Sequence, residues 1–116
     1  MVSHSLAGEI TTYFVNKNPH WVTGVVLLDA SLPDFYTDSE LARIEAVNQA
    51  QVDELKKQPS TKQTRQLLAV AADYGEMHRA YRQMSRPAGI PATVIVSANT
   101  PFDTPDDAQP WRDAQP

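Results

Sequence analysis

The sequence contains no cysteine, and this absence excludes several kinds of site. The 116-residue chain can form no disulfide, and it offers neither thiolate ligands for zinc or iron–sulfur clusters nor a cysteine nucleophile. Positive charge is also scarce, since ten lysines and arginines against fourteen aspartates and glutamates give a formal net charge of −4. So acidic a chain lacks the basic surface that is typical of nucleic-acid-binding proteins.

Long apolar segments are missing as well. No run approaches the roughly 20 residues that a membrane-spanning helix requires. The first residues do not show the basic patch and apolar stretch of a secretory signal, so we expect a cytoplasmic protein without membrane or nucleic-acid partners. With 41% apolar and 21% charged residues, the composition is that of one small globular domain.

Five segments show the periodicity of regular secondary structure. Residues 22–29 and 90–98 are short, β-branched apolar runs, which favour strands buried on both faces of a parallel sheet with helices on each side. Residues 37–58 and 60–86 predict two long amphipathic helices that end at prolines. Residues 6–17 predict a helix because apolar side chains recur at helical spacing, at Leu6, Ile10, Tyr13 and Phe14.

Both long helices are preceded by sequences that resemble a capping box. Thr37 stands three residues before Glu40, and Ser60 stands three residues before Gln63. The second of these helices carries an apolar stripe that we interpret as core, with the lining of an apolar acyl pocket as the alternative for its tyrosines and methionines. The stripe consists of Leu67, Val70, Ala71, Tyr74, Met77, His78, Tyr81 and Met84.

The succession of helix, strand, two helices and strand predicts an α/β fold with a parallel sheet of two to three strands. The helical sequence between the two apolar strands is longer than a crossover needs, so we expect part of it to lie over the sheet as a cap. We divide the single domain into residues 1–30 (helix and first core strand), 31–87 (helical insert) and 88–116 (last strand, loop and a short helix).

One motif near the start of the chain carries chemistry. Ser5 opens an amphipathic helix and has small residues two positions before and after it, Ser3 and Ala7, which is the pattern of a nucleophile elbow. Small side chains are needed there because the turn is strained and tightly packed, and amides at the helix start can stabilise an oxyanion. A serine that only caps the helix is the alternative interpretation.

The segment Ser-His-Ser-Leu-Ala-Gly at residues 3–8 resembles the α/β-hydrolase fold family, whose members often read Gly-His-Ser-Leu-Gly-Gly at this point. The helix, the Asn-Pro turn at residues 18–19, the strand ending at Asp29 and the strand at residues 90–97 follow in the order of that family. The family has further strands before the elbow and its catalytic histidine after the last loop. The resemblance therefore implies the middle to C-terminal portion of such a hydrolase.

By this resemblance Ser5 is the nucleophile, the backbone N–H of Leu6 contributes to the oxyanion hole, and Asp103 is the acid that orients a histidine. Asp29 is the second candidate for the acid, because some members take it from the end of the earlier strand. The alternative role for Asp29 is to hold a loop at the end of its strand.

The three histidines do not offer an obvious catalytic base. We expect His4 to be buried beside the elbow and to point away from Ser5, His20 to lie on the surface, and His78 to be a hydrogen-bonded core residue. No pair of them has the spacing of metal ligands, so we expect neither a metal nor any other cofactor.

Two functions of different classes follow from these observations. The first is a serine hydrolase segment that acts on a small ester-like substrate and has little or no activity alone, because the general base is missing. The second is a non-catalytic helical module that binds another protein. For a hydrolase segment, the open edges of a small parallel sheet predict poor solubility, self-association or the need for a second polypeptide.

Overall fold

The computed structural model describes residues 1–100 and 102–116. The chain divides into two compact units, one formed by residues 1–35 and 81–116 and the other by residues 36–80. The regular elements are β1 (Val2–His4), α1 (Ala7–Lys17), β2 (Val25–Leu28), α2 (Asp38–Lys56), α3 (Lys62–Arg82), β3 (Ala92–Ile95) and α4 (Pro105–Asp113). Short 3-10 turns at Pro19–Trp21 and Pro33–Phe35 connect some of them.

The three strands form one parallel sheet in the order β1-β2-β3. The expected α/β class with a small parallel sheet is therefore confirmed. In the register of the sheet, Ser3 lies beside Leu27 and Leu27 lies beside Val94. All three strands consequently end at the same edge, where the loops that follow them come together.

Helix α1 covers one face of the sheet. The core of this unit is formed by Val15 of α1 with residues of β2 and its flanks, namely Val22, Val25, Leu27 and Ala30. Gly8 allows the close approach of α1, because a Cβ atom at this position would lie 2.5 Å from the Cβ of Ala30. The fold thus needs a very small side chain in the first turn of α1.

The opposite face of the sheet remains accessible. Val2 of β1 is 70% exposed and Ile95 of β3 is 52% exposed, and both alternate along their strands with better buried residues. The expectation that residues 90–98 form a strand buried on both faces is wrong. β3 is the edge of a three-stranded sheet, and its apolar sequence leaves a hydrophobic surface instead of a second buried layer.

The prediction of a helix at residues 6–17 is confirmed, but most of its apolar stripe is exposed. Ile10 is 66% exposed, and Leu6 and Phe14 on the same stripe are also exposed. The helix instead turns small and polar residues inward, where the hydroxyl of Thr11 hydrogen-bonds that of Ser3 in β1. Paired hydroxyls let the helix approach the sheet without a buried polar group that lacks a partner.

In the unit of residues 36–80, the start of α2 is as predicted. The Thr37 hydroxyl accepts a hydrogen bond of 3.2 Å from the backbone N–H of Glu40. The cap of α3 is displaced by one residue from the predicted Ser60. Thr61 accepts from the N–H of Thr64 at 3.1 Å, and the hydroxyl of Thr64 accepts from the N–H of Thr61 at 2.8 Å. Both helices therefore begin with satisfied backbone donors.

The apolar stripe of α3 is only partly core. The Arg79 guanidinium of α3 donates to both carboxylate oxygens of Glu45 in α2, at 3.0 and 2.9 Å, and so joins the two helices. Leu67 and Val70, which the periodicity assigns to the core, are exposed, as is Val47 of α2. Two helices cannot bury stripes of this width against each other alone.

Candidate active site

Ser5 occupies a strained position between β1 and α1. Its φ angle is 52°, in the left-handed region that non-glycine residues rarely adopt. The conformation is held from both sides, since the N–H of Ser5 donates to the carbonyl of Leu28 and the carbonyl of Ser5 accepts from the N–H of Gly8, each at 3.0 Å. Strained residues of this kind cluster at functional sites, because the surrounding structure must fix them.

Asp29 ends β2 in a similar conformation, with a φ angle of 43°. Its N–H donates to the carbonyl of Ile95, and its carboxylate accepts from both the N–H and the hydroxyl of Ser97, each at 2.5 Å. These two hydrogen bonds lower the pKa of Asp29 below its ordinary value, and the electrostatic interaction with nearby His4 acts in the same direction. Asp29 is therefore an ionised group that ties the ends of two strands together.

A cleft of about 330 Å³ opens at this edge of the sheet. It joins the ends of all three strands, which is the place where ligands usually bind in open parallel sheets. The cleft brings Ser5 and Asp29 together. Its lining consists of His4, Ser5, Asp29, Ser31, Ser97, Asn99, Thr100, Phe102 and Trp111.

The other two residues suggested by the resemblance have different positions. Leu6 follows Ser5 at the amino end of α1, where backbone N–H groups have no acceptor inside the helix. Asp103 is exposed and does not belong to the lining of the cleft. Its role as the acid stays a prediction, whereas Asp29 is the carboxylate that shares the cleft with Ser5.

Two histidine expectations have clear outcomes. His4 is exposed and lines the cleft, so the expectation of a buried residue is wrong. His78 is 1% exposed, and its ring packs against those of Tyr36 and Tyr74. Its Nδ1–H donates to the carbonyl of Tyr74 at 2.7 Å, so His78 is the hydrogen-bonded core residue that was predicted.

Sequence reasoning missed two parts of this cleft. Ser97, whose hydroxyl and N–H both bind Asp29, lies two residues beyond β3. The aromatic residues Phe102 and Trp111 form one wall, and only their place beyond the last strand hinted at this. A search for polar residues directly after each strand would have found Ser97.

Within residues 1–100 and 102–116, no group of three histidine, aspartate or glutamate side chains is arranged to hold a metal ion. None of the helices described is long and apolar enough to cross a membrane. No protein family model, curated protein or solved structure matches the chain.

Proposed function

We propose that the cleft is the acyl-transfer site of a serine hydrolase of the α/β-hydrolase type, with Ser5 as the nucleophile. The observation that carries the proposal is the conformation of Ser5. A serine with a left-handed backbone, placed between a parallel strand and a helix, presents its hydroxyl at the end of the sheet as a nucleophile elbow does. A serine that only caps a helix has no need of such strain.

The proposed reaction is attack of Ser5 Oγ on the carbonyl carbon of an ester. The C–O bond to the alcohol breaks, the proton of the serine goes to the departing alcohol, and water later releases the acid from the acyl-serine. In this proposal the N–H of Leu6, at the start of α1, donates to the oxyanion. Asp29 supplies the negative charge in the cleft.

The proposed reaction needs a general base to carry the proton of Ser5, and neither His78 nor His4 is held in that role. His78 donates Nδ1–H to the carbonyl of Tyr74 and is buried, so it is held as a structural residue. His4 shares the cleft, yet within the described part of the chain no hydrogen bond joins its ring to the hydroxyl of Ser5. Loss of the triad base costs about 10⁶ in kcat in subtilisin, so we expect very slow turnover.

Labelling by a fluorophosphonate probe tests the proposal, because the probe reacts covalently with activated serines. We expect slow labelling that Ser5→Ala abolishes. Ser85→Ala is the matched control, since Ser85 is an exposed serine that does not line the cleft and should leave the rate unchanged. His78→Ala should also leave it unchanged in protein shown by circular dichroism to be folded. Labelling that survives Ser5→Ala would refute the elbow assignment.

A second candidate function is a helical module that binds another protein. The observation that favours it is the exposed apolar surface of α2 and α3, to which Val47, Leu67 and Val70 contribute. Such a surface on a monomer marks an interaction site. Unchanged folding and no Ser5 labelling, together with concentration-dependent association that Val70→Glu abolishes, would favour this function over the hydrolase.

A further inference from the structure

Three aromatic rings are packed into one cluster beside the cleft. The ring centre of Phe35 lies 5.6 Å from that of Trp111 and 6.2 Å from that of Phe102, and Phe102 lies 5.9 Å from Trp111. Phe35 belongs to the 3-10 turn after β2, and Trp111 belongs to α4. Residues from two other segments of the chain therefore contact the ring of Phe102.

The three rings of this cluster differ in how deeply they are buried. Phe35 and Trp111 are each only 5% exposed, whereas Phe102 is half-buried and lines the cleft. The two buried rings contact that of Phe102, which keeps part of its surface accessible in the cleft. A fixed aromatic surface binds a planar ring at a low entropic cost, in offset or edge-to-face contact.

The rest of the cleft is small and polar. Ser5, Asp29 and Ser97 contribute hydroxyl and carboxylate groups to the same lining as Phe102 and Trp111. The volume of about 330 Å³ lies at the lower end of the roughly 300–1,000 Å³ that is usual for ligand sites. The space suits a small molecule with one ring and a short acyl group.

We propose that this cleft selects small, uncharged aryl esters, with the aromatic ring against Phe102 and the carbonyl beside Ser5. The placement of the carbonyl rests on the proposed function, while the ring preference rests on the aromatic wall alone. The carboxylate of Asp29 disfavours anionic ligands, because it stands in the same cleft and its hydrogen bonds from Ser97 keep it charged.

Ligand binding to a protein that cannot react tests this preference. Trp21→Phe removes a tryptophan that is 81% exposed, so Trp111 becomes the remaining tryptophan and reports on the cleft by its fluorescence. Ser5→Ala in the same chain prevents turnover. We expect phenyl acetate to bind roughly 2- to 10-fold more tightly than cyclohexyl acetate, as an aromatic pair implies. We expect 4-carboxyphenyl acetate to bind more weakly than phenyl acetate.

The matched variants are Phe102→Leu and Phe14→Leu. Phe102→Leu keeps an apolar side chain but removes the ring, so the preference for phenyl acetate should disappear. Phe14 is an exposed phenylalanine on α1 that does not line the cleft, so Phe14→Leu should retain the preference. Thermal unfolding followed by circular dichroism confirms that both variants are folded.

Equal binding of the two acetates, or a preference that survives Phe102→Leu, would overturn the inference. The two proposals fail in different ways. Absence of Ser5-dependent labelling with an intact ring preference would refute the hydrolase and leave the aryl-binding cleft standing. Labelling at Ser5 without a ring preference would refute the substrate class only.

Discussion

Replacement of Gly8 by alanine tests how closely α1 packs against the sheet. The new Cβ would lie 2.5 Å from the Cβ of Ala30, a residue that is completely buried. Carbon atoms in contact lie about 3.5–4.0 Å apart, so the two must separate by at least about 1 Å. Neither side chain can rotate away, because a methyl group has no alternative rotamer.

Two opposing effects set the size of the change. Alanine in place of glycine favours a helix by up to about 1 kcal/mol. Overpacking of a well-packed core costs typically about 1–3 kcal/mol. We therefore expect Gly8→Ala to lower the free energy of unfolding by about 1–2 kcal/mol, which corresponds to a Tm lower by roughly 4–8 °C.

Urea unfolding followed by circular dichroism measures this change, and a compensating substitution identifies its cause. Ala30→Gly removes the methyl group that Gly8→Ala would meet, and the next nearest atoms lie at 3.7 Å, an ordinary contact. The double variant should therefore be more stable than the sum of the two single changes predicts. If Gly8→Ala is as stable as the native chain, or if Ala30→Gly gives no rescue, α1 is not seated as described.

Gly75 in α3 provides the control. A Cβ there would meet the carboxylate of Glu45, which lies at the end of a flexible side chain and can move. The ion pair between Glu45 and Arg79 is exposed and is worth at most about 1 kcal/mol. The helix-favouring effect of alanine offsets that loss, so Gly75→Ala should change the free energy of unfolding by less than Gly8→Ala does.

Three further predictions concern the N-terminal cap of α2, the hydrogen bonds between Asp29 and Ser97, and the exposed face of the sheet. Thr37→Ala should cost about 1 kcal/mol in urea unfolding, because the N–H of Glu40 loses its acceptor; Thr37→Ser should retain most of the stability. Because its hydrogen bonds lower the pKa of Asp29 below 3.8 in the folded state, the stability that they give is present above pH 3.8 and is lost as the pH falls through the lowered pKa. Asp29→Asn should flatten the pH dependence of urea unfolding in that range. An unchanged profile would argue against a stabilising role for the hydrogen bonds between Asp29 and Ser97. Ile95→Lys should weaken any self-association seen by sedimentation velocity, since it places a charge on the exposed sheet face.

Local signals in the sequence predicted local structure well. The cap at Thr37 was recognisable because its hydrogen bond reaches only to Glu40, three residues away. The Ser60 prediction missed the cap by one residue, since Thr61 and Thr64 satisfy each other with the same geometry. Propensity does not distinguish the adjacent hydroxyl residues Ser60 and Thr61, and the reciprocal hydrogen bonds are made by Thr61.

The face that a helix buries was harder to predict. Periodicity showed correctly that residues 6–17 form a helix, but it did not show which face of the helix is buried. The structure turns Gly8 and Thr11 inward, because Ala30 lies too close for a larger side chain and Ser3 provides a hydroxyl partner. These partners belong to other segments, so the sequence of the helix alone does not reveal them.

In the candidate site, too, features formed by consecutive residues were predictable, whereas contacts between distant segments were not. Ser5 could be recognised because a strand, a small-residue turn and a helix are consecutive in the chain. The link from Asp29 to Ser97 spans 68 residues, and it follows only from the parallel register that aligns the ends of β2 and β3. The sequence does not reveal the order of the strands in the sheet. Once the order β1-β2-β3 and the parallel register are known, the residues just after each strand lie at one edge of the sheet. Ser5, Asp29 and Ser97 are therefore neighbours in one cleft.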